Sequence, residues 1–119
     1  MLVVKRVSFD AAHLLPNYPG KCKNLHGHHW IVDIGYEGIV DPRTGMVADF
    51  SGLKGMVSPL LETLDHHFLN DVIENPTAEN LVTYIRDWLL DKPLLEVAEL
   101  VLVRVWETET SYAEWTRET

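Results

Sequence analysis

The chain has a single cysteine, Cys22, in 119 residues. That excludes an internal disulfide and fits a reducing compartment. Basic residues are scarce, with 10 Lys and Arg against 18 Asp and Glu and a formal net charge of −8. This balance argues against a general nucleic-acid binder, which needs a basic surface. A phosphorylated substrate stays open, provided local lysines outweigh the global field. No stretch approaches the ~20 consecutive apolar residues that span a bilayer. The opening Met-Leu-Val-Val-Lys-Arg-Val lacks the apolar run of a signal peptide. We therefore expect a cytoplasmic protein with no membrane association. Repeats, low-complexity tracts and linkers are also missing, so residues 1–119 are expected to form one domain, large enough for a core without disulfides.

What is present is a clear change of period along the chain. Residues 2–9 are apolar and β-branched enough for a strand. Residues 28–38 alternate, with Trp30, Val32, Ile34 and Tyr36 on one face and His29, Ile31 and Asp33 on the other. Asp41-Pro42-Arg43-Thr44-Gly45 is a turn signal. From Asp49 the spacing turns helical, with Leu53, Met56, Leu60, Leu61 and Leu64 in one stripe. Pro59 inside that stripe is expected to bend or restart the helix. Thr77 suits the N-cap of a second helix that buries Leu81, Ile85, Trp88 and Leu89 and stops near Lys92-Pro93. Residues 99–107 read as the strongest strand, and a short strand follows from Tyr112 to about Thr116. The order β-β-α-α-β-β predicts an α+β fold, a four-stranded antiparallel sheet with two helices covering one face. Such a sheet keeps two open edges, which pairing with other subunits would remove.

All six histidines fall in three short segments: His13; His26, His28 and His29; His66 and His67. Side chains two apart on a strand share a face, so His26-Gly27-His28 presents two imidazoles together, and His13 on a facing strand supplies a third. Three nitrogen ligands leave a fourth position open, the arrangement of catalytic zinc. Cys22 has three readings: an inert packed thiol, a fourth ligand that closes the site, or a free base. Lys21 and Lys23 beside it favour the thiolate. In Asp65-His66 the carboxylate is placed to orient the ring for acid–base work, or else simply to cap a helix end. Glu107 closes an apolar strand face, either reaching water or accepting paired N–H donors from a ligand ring. Thr77 and Glu79 are candidates for the same ligand, although helix capping explains both. His67 reads as structural.

Together these segments resemble the 6-pyruvoyl-tetrahydropterin synthase family, including the 6-carboxytetrahydropterin synthases of the queuosine pathway. The matching pieces are Phe9-Asp10-Ala11-Ala12-His13, the run from Cys22 to His28, Asp49-Phe50-Ser51-Gly52-Leu53-Lys54, Leu64-Asp65-His66, Leu69-Asn70, Pro76-Thr77-Ala78-Glu79-Asn80 and Trp106-Glu107-Thr108. The resemblance implies zinc on His13, His26 and His28, Cys22 as catalytic base assisted by Asp65 and His66, and Glu107 as anchor of the pterin ring. It implies the tunnelling fold, in which sheets of three subunits join into a barrel, two trimers commonly stack, and active sites lie between subunits. The implied substrate is 7,8-dihydroneopterin triphosphate. The short spacing from Cys22 to His26 looks like the queuosine branch, hence a 6-carboxy product with release of acetaldehyde and triphosphate. The rivals are the 6-pyruvoyl product on the same fold and a non-catalytic zinc-binding assembly module.

Overall fold

The computed structural model describes residues 1–92 and 98–118, apart from the side chain of Cys22. Its elements are β1 (Leu2–His13), β2 (His26–Gly38), α1 (Phe50–Leu64), α2 (Ala78–Leu90), β3 (Ala98–Thr108) and β4 (Ser111–Thr116). The four strands form one antiparallel sheet in the order β1-β2-β3-β4. This is the expected α+β arrangement. Both first strands reach further than their apolar content suggests, because polar His13 and His26 face each other as the last pair of the β1–β2 ladder.

Alternation sends Val7, Phe9, Trp30, Val32, Ile34, Val103 and Val105 to the helix side of the sheet, where all are buried. From α1 they meet Leu53, Val57, Leu60 and Leu64, and from α2 Leu81, Ile85 and Leu89. Each fully buried leucine or isoleucine contributes about 1.5–3 kcal/mol relative to exposure. Met56 and Leu61 pack only at the rim of this core. Between Gly35 and Tyr36 the register of the β2–β3 ladder shifts, with one extra residue, Val101, on β3. A Cβ on Gly35 would sit 2.8 Å from that of Leu102, so only glycine permits this approach of the strands.

Pro59 does not restart α1, which runs unbroken to Leu64. It stands on the exposed side of the helix, where the carbonyl it leaves unpaired can be hydrated. Asp49 caps α1, its side chain accepting from Ser51 N at 3.0 Å. Thr77 caps α2 as expected, its Oγ1 accepting from Asn80 N at 3.1 Å. Trp88 is half-buried, with Lys92 Nζ 5.0 Å from its ring centre. The expected stop at Lys92-Pro93 falls at the limit of the described residues, with Pro93 outside them.

After α1 the chain turns at Asp65–Phe68 and lies along the outer edge of β1. His66 N donates to Asp10 O at 2.6 Å, and Ala12 N to His67 O at 3.4 Å. The last part of β1 therefore has a second neighbour, which Leu2–Ser8 lacks among the described residues.

Candidate metal and acid–base site

One end of the helix-covered face carries the histidines. His13 pairs directly with His26 across the ladder, and His28 lies opposite Ala11. Two residues along the same face stands Trp30, whose Nε1 donates to Ala11 O at 3.2 Å. Its ring centre is 5.1 Å from that of His13 and 5.3 Å from that of His28. Glu107 arrives from the end of β3. One ligand atom from each of His13, His26, His28 and Glu107 lies within 4.8 Å of all the others. The sequence joins the three histidines; the carboxylate in their midst is an addition made by the fold.

The hydrogen bonds behind the cluster decide its chemistry. His13 Nδ1 donates to Pro76 O at 2.8 Å, and His26 Nδ1 to Asn24 O at 2.7 Å. These partners assign the Nδ1–H tautomer to both rings and leave each Nε2 with its lone pair. The two Nε2 atoms are 3.0 Å apart. Neutral rings in that tautomer oppose two lone pairs, a repulsion that a shared cation removes. His28 Nε2 is buried with no hydrogen-bond partner; it stands 3.1 Å from Glu107 Oε1 as a charge contact. An orphaned buried nitrogen is costly unless something binds it. Burial pushes His13 below the usual imidazole range; His26 adds to this, while the Pro76 carbonyl and Glu107 oppose it. Burial likewise lowers His28, against the pull of Glu107. The rings are thus held neutral, the state in which imidazole ligates a metal. Three imidazoles and a carboxylate, backed by carbonyls on the far ring nitrogens, are a donor set suited to zinc.

Asp65 and His66 do contact each other: His66 Nδ1 is 2.9 Å from Asp65 Oδ2. Asp65 also forms the C-cap of α1, so it both contacts the ring and ends the helix. Its Oδ1 accepts from Asp10 N at 2.9 Å, and that bond together with His66 holds the carboxyl below its usual range. Asp65 in turn raises His66. His66 has φ 57°, a left-handed backbone uncommon for a side chain of its size. His67 Nδ1 donates to Asp65 O at 2.8 Å, in keeping with a structural role. An open cavity of about 710 Å³ has Asp10, Gly27, His28, His29, His66 and Phe68 among its walls. It joins the Asp65–His66 pair to the strand that carries His26 and His28, and its volume suits a small-molecule ligand.

The remaining expected residues are placed as follows. Cys22 lies in a single 3-10 turn, Lys21–Lys23, two residues before Asn24, whose carbonyl orients His26. The role read for its thiol lies outside the described residues. Thr77 is occupied by capping, and Glu79 is exposed in the first turn of α2; neither joins the cluster or lines the cavity. The backbone before them does contribute, since Pro76 supplies the carbonyl behind His13. Sequence reasoning missed that role and that of Asn24, because a carbonyl has no residue-type signature. It also missed the work of Asn70, whose side chain accepts from Leu14 N at 3.0 Å and donates to Leu14 O at 2.9 Å. That double bond pins the chain just after His13. The only signal for it was the Leu69-Asn70 fragment of the resemblance.

Residues 2–118 match the family model described as 6-pyruvoyl tetrahydropterin synthase. The chain is 40% identical to a 6-carboxy-5,6,7,8-tetrahydropterin synthase of Synechocystis, over 96% of this chain and 92% of that protein. It is 35% identical to the human 6-pyruvoyl tetrahydrobiopterin synthase, over 91% and 85% respectively. The solved 6-pyruvoyl tetrahydropterin synthase of Caenorhabditis elegans superposes with a TM-score of 0.85 at 28% identity, covering 99% of this chain and 96% of that one. On fold, donor set and sequence alike, the chain belongs to the 6-pyruvoyl tetrahydropterin synthase family.

Proposed function

We propose that the protein is a zinc-dependent lyase converting 7,8-dihydroneopterin triphosphate to 6-carboxy-5,6,7,8-tetrahydropterin, with release of acetaldehyde and triphosphate. The observation that carries this reading is the meeting of the lone-pair-bearing Nε2 atoms of His13 and His26 with the unpartnered Nε2 of His28, beside a cavity that also holds His66. Relatives named for the 6-carboxy product, together with the short Cys22-to-His26 spacing, favour that product over the 6-pyruvoyl one. Bound to the three imidazoles, zinc supplies Lewis acidity that renders C–H bonds next to its oxygen ligands more acidic.

The chain's own groups do the rest. Cys22 removes a side-chain proton as thiolate. His66, kept protonated to higher pH by Asp65, delivers and accepts protons. Glu107 accepts the N–H donors on the pyrimidine edge of the pterin. Residues 1–119 act as one domain in the cytoplasm, in a homo-oligomer of trimers or paired trimers with active sites between subunits. Neither nucleic acid nor membrane takes part.

Incubation of the zinc-loaded protein with 7,8-dihydroneopterin triphosphate, with product mass as the readout, tests the reading. The 6-carboxy product is expected; a 6-pyruvoyl product would move the chain to the other branch, and no turnover would leave a zinc-binding module. Cys22→Ala is expected to keep zinc and lose about 10²–10⁴-fold in turnover, the usual contribution of a general base. Loss of zinc instead would make Cys22 a ligand of a closed site.

A further inference from the structure

The uncovered face of the sheet carries a charge row unrelated to the metal site. One residue comes from each strand, in register: Arg6 on β1, Asp33 on β2, Arg104 on β3 and Glu114 on β4. Arg6 grips Asp33 through Nε at 2.7 Å and Nη2 at 3.1 Å. Arg104 Nη1 lies 3.9 Å from Asp33, and its Nε donates to Glu114 Oε1 at 2.7 Å. The signs therefore alternate plus, minus, plus, minus across the sheet, beginning with a cation at one edge and ending with an anion at the other.

Both ends of the row have capacity to spare. Arg6 has five N–H donors and uses two on Asp33, and its side chain is 59% exposed. Glu114 bonds Arg104 through Oε1 alone. Both edges are also unpaired among the described residues: Leu2–Ser8 on β1, because the turn at residues 65–68 covers only Asp10–Ala12, and Ser111–Thr116 on β4.

We propose that Arg6 and Glu114 form an intersubunit ion pair that sets the register in which β1 of one copy adds to β4 of the next. The partner is a second copy of this chain, and the proposal rests on the homo-oligomer reading above and deepens it. Joining β1 to β1 places Arg6 against Arg6, and joining β4 to β4 places Glu114 against Glu114; like charges directly opposite repel. Joining β4 to β1 continues the alternation without a fault. An even number of strands keeps that new pair antiparallel, and a head-to-tail contact of this kind gives a ring when the rotation between copies closes. With Arg6 opposite Glu114, Val4 falls opposite Thr116 and Ser8 opposite Tyr112. A slip of one residue turns Arg6 toward the helix-covered side of its neighbour, so the register is sharply defined.

The test leaves the row intact. In a Cys22→Ala background, which removes the only native thiol, Val4→Cys with Thr116→Cys is treated with a short bis-thiol cross-linker. Covalent multimers are expected. The shifted pair Val4→Cys with Tyr112→Cys, four residues or roughly 13 Å out of step, is expected to stay uncoupled. Stronger linking of the shifted pair, or no linking in a protein whose native mass is oligomeric, overturns the proposal; so does a monomeric native mass. A double-mutant cycle supplies the second measurement. Glu114→Gln, which can still accept from Arg104, is expected to weaken self-association about tenfold, and adding Arg6→Gln is expected to cost less than it does in the wild type. Additive losses refute the pairing. Turnover is assayed separately in the chain with Cys22 intact, so inactivity of that chain alongside the expected linking overturns the proposed function alone.

Discussion

The two faces of one sheet bury polar groups in opposite ways. On the uncovered face Asp33 is 3% exposed and fully partnered, by two bonds from Arg6 and one from Trp106 Nε1 at 3.0 Å. Burial pushes its pKa up, but those bonds and the charges of Arg6 and Arg104 prevail and hold it low. On the helix-covered face His13 is buried as deeply, yet the cluster around it leaves lone pairs opposed and His28 Nε2 without a hydrogen-bond partner. Asp33 is saturated, since its carboxylate already holds its partners within the sheet. The unsaturated cluster could hold a metal ion. Burial of a polar group is therefore no guide to function until its hydrogen bonds are counted.

The sharpest way to break this contrast is to remove a donor from each face. His13→Ala, His26→Ala or His28→Ala should each collapse zinc content, measured by elemental analysis, with turnover lost and the circular dichroism spectrum retained. Full zinc occupancy in all three would end the assignment. Asp33→Ala should do the reverse. Leaving Trp106 Nε1 and Arg6 without a partner should lower unfolding free energy by about 1–3 kcal/mol in denaturant titrations, while zinc stoichiometry stays at the wild-type value. A zinc loss equal to that of the histidine variants would show that the faces are not independent.

Glu107 sits where the two chemistries meet. Glu107→Gln should weaken pterin binding at least about tenfold, as expected for losing a paired charge-assisted contact of roughly 1.5 kcal/mol. It should leave most of the zinc in place. Unchanged pterin affinity with loss of zinc would make Glu107 a metal ligand.

Acid titration of the metal-free protein gives the subtlest test. Burial lowers His13 and His28 in the folded state, so the unfolded chain binds more protons as the pH falls below its imidazole pKa of about 6.5. Stability is complete above that value and declines from there down through the folded-state pKa. Asp33, also lowered on folding, adds stability that is complete above about pH 3.9 and is lost as pH falls through its folded value. Two steps are expected in stability against pH, and Asp33→Ala should shrink only the lower one, to which Asp65 also contributes. Loss of the upper step as well would couple the faces.

The sequence by itself determined the element order, the antiparallel sheet, the helix-covered face and the trio His13, His26 and His28. These follow from local periodicity, from capping residues and from the two-residue repeat of a strand, all legible in a short window. It also placed Asp65 beside His66, though not in contact. Tertiary structure alone decided that Glu107 stands among the imidazoles, that Pro76 and Asn24 fix the tautomers, and that Asn70 pins Leu14. It alone aligned Arg6, Asp33, Arg104 and Glu114 in one row. Those outcomes depend on strand register and on backbone carbonyls meeting side chains from distant parts of the chain. Residue identity carries no record of either, because a charge or a carbonyl acquires its partner only when the sheet has closed.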